Sequence, residues 1–204
     1  MSEAPQSSVV AIYGGSFNPP HVGHAMVARW LTWTKQADAV WLVPVYRHAF
    51  EGRHDKTLAP FDERVSWCRA FADDLGPGVE VCTVEADLPV PSFTIDTLRH
   101  LSGCHPELRF RLVVGADALP HLPAWRNWDA IEREFSPLMV GRQGHPVPGS
   151  DGVDFPNVSS TDVRARLKDG RAISHLLTAG VRTLVEAYSS EPKSSRGRKA
   201  SDER

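Results

Sequence analysis

The chain has 204 residues, a formal net charge of −2 and 41% hydrophobic residues. These values are ordinary for a globular protein that buries its own core, and they disfavour a general nucleic-acid coat. No apolar run approaches the roughly 18 residues of a membrane span, and residues 1–8 lack the basic and apolar parts of a signal peptide. We therefore expect a cytoplasmic protein with one domain over 9–188, a flexible N-terminus and a flexible basic tail at 189–204.

Apolar strand-like runs alternate with helical patterns along the domain. The predicted strands are 9–13, 39–45, 79–84, 110–114 and 137–140, and the predicted helices are 25–31, 62–75, 94–101 and 162–168. This alternation predicts an α/β fold with a doubly wound parallel sheet in three α/β/α layers. Ligands of such sheets bind beyond the carboxyl ends of the strands, where the strand order reverses.

The first strand leads into the turn Gly14-Gly15-Ser16-Phe17-Asn18-Pro19-Pro20-His21-Val22-Gly23-His24. Glycines allow positive φ and close approach to a ligand, and the amides at a helix start attract an anion. His21 and His24 are three residues apart, so both imidazoles lie on one face of the first helical turn. The turn predicts a phosphate-binding site.

Two further motifs follow later strands. Gly115-Ala116-Asp117 follows the fourth strand, and Ser159-Ser160-Thr161 follows a Gly- and Pro-rich loop at 141–157. The serines and threonine could serve only as a helix cap. Arg164, however, lies in the first turn of that helix, where the macrodipole disfavours a cation. A bound polyphosphate would explain the arginine.

Together these three motifs resemble those of the nucleotidylyltransferase superfamily, and within it the bacterial nicotinate-nucleotide adenylyltransferases. The resemblance spans 9–188 and includes Ser92-Phe93-Thr94-Ile95-Asp96-Thr97-Leu98, which is similar to the mononucleotide-binding segment of that family. It also includes Leu122-Pro123-Ala124-Trp125, which is similar to a stretch with a base-stacking tryptophan. The resemblance implies a Rossmann-like fold.

The resemblance also implies transfer of the adenylyl group of ATP to nicotinate mononucleotide, without a covalent enzyme intermediate. Positioning and charge stabilisation then carry the catalysis. The implied catalytic residues are His21, His24 and Arg164. The implied ATP-binding residues are Gly14, Gly15, Ser16, Phe17, Asn18, Gly115, Asp117, Ser159, Ser160 and Thr161. Mg²⁺ would be held mainly by the ATP phosphates, with no protein metal site.

The implied mononucleotide-binding residues are His48, Lys56, Thr94, Trp125 and Arg126. Trp125 would stack on the pyridine ring, and the alternative is that it belongs to the core. The Pro-His-Lys that usually follows the second strand in the family is absent here. His48 supplies the histidine, and the sequence leaves open whether Arg47 or Lys56 replaces the lysine. Arg126 stands where an aromatic residue is common, which leaves the choice between acid and amide substrate open.

Two other hypotheses fit the same residues. One is another nucleotidylyltransferase, acting on nicotinamide mononucleotide or phosphopantetheine or transferring a cytidylyl group. The other is a nucleotide sensor without turnover, which would not need transition-state contacts such as His21, His24 and Arg164. Neither a nucleic acid nor a membrane is expected as a partner, and the sequence leaves a homo-oligomer open.

Overall fold

A computed structural model describes residues 7–47, 58–149 and 153–190. The sheet has six parallel strands in the order β3-β2-β1-β4-β5-β6. Their bounds are β1 Val9–Gly15, β2 Ala39–Pro44, β3 Val79–Val81, β4 Arg109–Gly115, β5 Leu138–Arg142 and β6 Asp154–Phe155. The predicted doubly wound sheet is confirmed.

Helices cover both faces of this sheet. Their bounds are α1 Val22–Trp33, α2 Phe61–Leu75, α3 Thr94–Cys104, α4 Trp128–Phe135, α5 Ser160–Lys168 and α6 Ala179–Ser190. One buried apolar cluster joins the sheet to α1, α2, α5 and α6, and a second joins it to α3 and α4. Alternate residues of β1 divide between the clusters, since Ala11 belongs to the first and Ile12 to the second. The sheet is therefore the middle of three layers.

The strand order reverses between β1 and β4. These strands pair only as far as Ile12 and Leu112, although they continue to Gly15 and Gly115. Beyond the last pair their carboxyl ends diverge, which opens a crevice at the reversal point. This is the position at which doubly wound sheets bind ligands.

The structure differs from the predicted elements in three places. Strand β3 ends at Val81 and a 3-10 helix follows at Val84–Ala86, so the strand is shorter than 79–84. The predicted loop 141–157 contains β6, a two-residue edge strand too short for an apolar pattern to reveal. Helix α6 continues to Ser190, two residues past the predicted domain end, and its Tyr188 packs against Trp67. Within the described residues, no helix combines the length and apolar character needed to cross a membrane.

Candidate active site

The turn after β1 is held by a buried phenylalanine. Phe17 has φ of 44° and is 1% exposed. Gly14 and Gly15 are not among the positive-φ residues, so the prediction that the glycines supply this conformation was wrong. They are instead the last residues of β1, where the missing side chains leave the strand end open to the crevice. Packing of the Phe17 ring into the core offsets the free-energy cost of its left-handed backbone conformation.

The structure brings the two predicted histidines into contact. The rings of His21 and His24 stack with centroids 3.8 Å apart, and His21 precedes the first turn of α1. The backbone N–H of His21 donates to Nδ1 of His24 over 3.1 Å. Because Nδ1 accepts this bond, the neutral His24 ring carries its proton on Nε2 and can donate from there. Nδ1 of His21 is buried and has no hydrogen-bond partner among the described residues.

Both imidazoles are neutral at pH 7. Burial, with a smaller contribution from the positive charge of Arg142, lowers the pKa of His21 to about 4. Burial also lowers the pKa of His24 well below its ordinary value, with smaller contributions from His21 and Arg142. Each neutral ring therefore has one N–H that can donate to an anion.

Helix α5 begins against the same turn. Ser159 caps this helix, because its Oγ accepts from the backbone N–H of Asp162 over 3.1 Å. Ser160 donates its hydroxyl to the carbonyl of Pro19 over 2.8 Å. Arg164 donates to the carbonyl of Asn18 over 2.7 Å and to Oγ1 of Thr161 over 3.2 Å. Ser160 and one nitrogen of the Arg164 guanidinium therefore tie the helix to the turn, whereas Ser159 and Thr161 make contacts within the helix start.

Asn18 also anchors the turn. Its side chain is 3% exposed, and its Oδ1 accepts from the backbone N–H of Ala59 over 3.1 Å. The bond ties the turn to the residues that precede α2. Asn18 thus has a structural function besides its predicted place beside the phosphates.

A small cavity of about 70 Å³ lies next to the histidines. Its lining includes Tyr13, His21, His24, Gly115, Asp117 and Arg142. Arg142 lies 3.6 Å from the carboxylate of Asp117 and also donates to the carbonyl of Val158. A Cβ on Gly115 would lie 2.5 Å from Oδ1 of Asp117, so glycine at this position leaves room for that carboxylate.

A larger cavity of about 480 Å³ is lined by Gly14 and Gly15 at the end of β1 and by α3. Of the predicted mononucleotide residues, Thr94, Trp125 and Arg126 line it. Trp125 is half-buried and meets Trp128 edge-on, with ring centroids 5.9 Å apart. Its position on a cavity wall favours the stacking hypothesis over a plain core role.

Arg126 lies at the edge of this larger cavity. Its guanidinium lies 4.6 Å from the centre of the Phe93 ring and 3.3 Å from the carboxylate of Asp96. Both contacts come from the start of α3, the helix that also carries Thr94. The cation is therefore held beside the cavity, although it is exposed.

Two predicted residues, His48 and Lys56, lie outside the described residues, and Arg47 is exposed at the edge of that gap. No group of three or more His, Cys, Asp or Glu residues that could hold a metal occurs in the described ranges. The histidine nitrogens are poor ligands for Mg²⁺, which prefers oxygen. The histidine pair is therefore suited to phosphate oxygens rather than to the metal itself.

The sequence did not single out Arg142 or the buried Arg64 and Glu85. Arg142 ends β5, so the rule that ligands bind at the carboxyl ends of strands could have found it. Arg64 shares a helix face with Cys68 and Phe71, and a cation within such an apolar stripe was the available signal.

Comparison with known proteins identifies the family of the chain. The family model described as cytidylyltransferase-like matches residues 12–166. A "probable nicotinate-nucleotide adenylyltransferase" of Anaeromyxobacter dehalogenans is 46% identical over 182 residues, covering 87% of this chain and 94% of the relative. The chain belongs to the nicotinate-nucleotide adenylyltransferase family. It is a nucleotidyltransferase, as the motifs predicted.

A more distant relative supports the same assignment, and a solved structure supports the fold. The relative of the same name from Myxococcus xanthus is 37% identical, and the match covers 83% of this chain and 87% of the relative. Among solved structures, the Plasmodium falciparum nicotinic acid mononucleotide adenylyltransferase complexed with NaAD matches with a TM-score of 0.72 at 19% identity. That match covers 89% of this chain and 96% of the other, and at this identity it supports the Rossmann-like fold alone.

Proposed function

We propose that the protein transfers the adenylyl group of ATP to nicotinate mononucleotide, which gives nicotinate adenine dinucleotide and pyrophosphate. The observation that carries the proposal is the pair of cavities at the β1–β4 crevice. One contains the stacked histidines, and the other is large enough for a mononucleotide and includes Trp125. The names of the relatives support nicotinate mononucleotide as the acceptor.

In the proposed reaction, a phosphate oxygen of the mononucleotide attacks the α-phosphorus of ATP. The bond from that phosphorus to the bridging oxygen breaks, and pyrophosphate leaves with the bond electrons. No side chain forms a covalent bond, so the protein contributes position and charge stabilisation. Nε2 of His24 is oriented to donate to a phosphate oxygen, because its Nδ1 is occupied by the backbone N–H of His21.

The remaining predicted residues surround these atoms. Arg164 and Thr161 at the start of α5 would receive the β- and γ-phosphates, together with the helix N-terminus. Asp117 would hold the ribose of the adenosine, with Arg142 fixing its carboxylate. Mg²⁺ bound to the ATP phosphates would neutralise part of their charge.

The deciding experiment measures pyrophosphate release with ATP and three acceptors side by side: nicotinate mononucleotide, nicotinamide mononucleotide and phosphopantetheine. We expect the highest kcat/KM with nicotinate mononucleotide. A higher value with either other acceptor would identify a different transferase of the same superfamily. Binding of ATP without release of pyrophosphate from any acceptor would support the sensor hypothesis.

A further inference from the structure

Arg64 and Glu85 are two buried charged residues that the proposed function does not use. Arg64 lies in the first turn of α2 and is 2% exposed, and Glu85 lies in the 3-10 helix after β3 and is 9% exposed. A buried charge is costly unless hydrogen bonds compensate it. The groups to which these two side chains form hydrogen bonds therefore indicate their role.

The Arg64 guanidinium binds three carbonyl oxygens from three separate segments. Nη1 donates to Ser16 over 2.9 Å, Nη2 donates to Val45 over 2.7 Å, and Nε donates to Ala59 over 3.0 Å. Ser16 belongs to the turn after β1, Val45 follows β2, and Ala59 precedes α2. A single side chain thus connects the turn after β1, the predicted phosphate turn, to the segments that precede α2 and follow β2.

Glu85 holds the other side of the same peptide group. Its Oε2 accepts from the backbone N–H of Tyr46 over 3.0 Å. The carbonyl of Val45 and the N–H of Tyr46 are the two polar atoms of one peptide bond. One is bound by a buried cation and the other by a buried carboxylate. The backbone N–H of Val45 adds a bond of 2.9 Å to the carbonyl of Gly15.

This peptide group lies where the phosphate turn meets the larger cavity, because Gly15, Val45 and Glu85 all contribute to the cavity wall. We propose that Arg64 and Glu85 are positioning residues that fix the Val45–Tyr46 peptide, and with it the wall between the mononucleotide and the reacting phosphates. The assignment rests on the proposed function. Arg64 acts on both sides of the wall, through Ser16 and Val45. Glu85 holds the Tyr46 side and also interacts with the side chains of Ser92 and Thr97 on the same cavity wall.

The test compares Glu85→Ala, Glu85→Gln and Arg64→Lys with the control variant Phe71→Leu. Phe71 is fully buried on the same helix, two turns after Arg64, and does not line either cavity. The measurements are kcat, the KM of each substrate and the Tm, with kinetics recorded well below the lowest Tm. Hydrogen exchange at the Tyr46 amide reports the bond to Glu85 directly.

Glu85→Ala should raise the KM of nicotinate mononucleotide about tenfold, the loss typical of one charge-assisted hydrogen bond, and leave the KM of ATP unchanged. Glu85→Gln keeps an oxygen that accepts from Tyr46 and should restore most of the wild-type KM. Arg64→Lys removes the planar guanidinium that donates to three carbonyl oxygens. It should also lower kcat, because one of these carbonyls, that of Ser16, belongs to the turn after β1. Tyr46 exchange should accelerate in Glu85→Ala more than in Phe71→Leu.

Three results would overturn the assignment. The first is that Phe71→Leu, at a similar loss of Tm, reproduces the changes in KM. The second is that Glu85→Gln is as impaired as Glu85→Ala, which would make Glu85 a direct substrate contact. The third is unchanged KM in both Glu85 variants, which decides the question even if Arg64→Lys fails to fold. A wild-type protein without turnover on nicotinate mononucleotide would instead overturn the proposed function.

Discussion

The two sides of the crevice between β1 and β4 differ in the size of their cavities and in the side chains that line them. On the histidine side, two stacked imidazoles border a cavity of only about 70 Å³, and the turn that carries them is bound to α5. On the other side, a cavity of about 480 Å³ presents apolar walls with few polar groups. The negative charge that develops on the phosphates in the transition state needs hydrogen-bond donors that are already in place. A pyridine ring instead needs a cavity of sufficient size and an aromatic side chain on which to stack.

This difference predicts which kinetic constant each side controls. Groups that are already oriented for the phosphates contribute mainly in the transition state, so their loss should lower kcat. In the proposed reaction, groups around the larger cavity contact the mononucleotide both before and during the chemical step, so their loss should raise its KM. The following predictions test this division, beginning with the largest expected effect.

Removing the oriented imidazole should have the largest effect. His24→Ala should lower kcat by about 10²- to 10³-fold, the cost typical of one lost donor to a developing oxyanion. The measurement is pyrophosphate release at saturating substrates, with circular dichroism to show that the fold is retained. Trp33→Ala, at a 77% exposed position on the same helix, is the control and should keep the wild-type kcat. Equal kcat for His24→Ala and wild type would contradict the proposed mechanism.

The buried histidines should also make the protein sensitive to acid. The pKa of His21 is about 4 in the folded protein and about 6.5 in the unfolded chain, so the unfolded chain binds the proton more readily between these values. The free energy of unfolding should therefore fall as the pH drops from 6.5 toward 4. The ceiling for His21 is about 3 kcal/mol, from about 1.4 kcal/mol per pKa unit.

Urea unfolding at pH 7 and pH 5 measures this slope. His21→Asn should flatten it, whereas His175→Asn, at an exposed position, should leave it unchanged. If the free energy of unfolding of His21→Asn changes with pH as it does in wild type, His21 is more accessible to water in the folded protein than its packing indicates.

On the other side of the crevice, Trp125→Ala should raise the KM of the mononucleotide and leave the KM of ATP unchanged. Stacking of an aromatic side chain on a base contributes about 1–3 kcal/mol, or roughly 5- to 150-fold. Trp125→Phe keeps an aromatic face and should recover much of the loss. A change in the KM of ATP of the same size would remove the distinction between the two sides.

The smallest effect concerns the choice between acid and amide. Arg126 is exposed and already paired with Asp96, so its charge should favour nicotinate over nicotinamide mononucleotide by less than about 1 kcal/mol. Arg126→Gln should reduce the ratio of the two kcat/KM values a few-fold, and more salt should do the same in wild type. A preference that is insensitive to both changes would assign the discrimination to Thr94 and other groups of the cavity wall rather than to the charge of Arg126.

Much of the fold could be predicted because its signals are local. Buried parallel strands such as 110–114 are continuous apolar runs, and the helix of Ile95, Leu98 and Leu101 shows its spacing directly. The two-residue strand β6 carries no periodicity, and the boundary between strand and 3-10 helix after Val81 depends on tertiary contacts.

The residue types of the site were likewise visible in the sequence, and their assembly was not. Order along the chain placed the histidine turn, Gly115 and Ser160 at the ends of strands, and a parallel sheet brings such ends to one edge. Only the tertiary structure decided that Phe17 rather than a glycine takes the positive φ and that Ser159 serves as a cap. It alone showed that Arg64 and Glu85 hold one peptide group from opposite sides, because hydrogen bonds between residues 19 and 39 positions apart leave no periodic trace in a sequence.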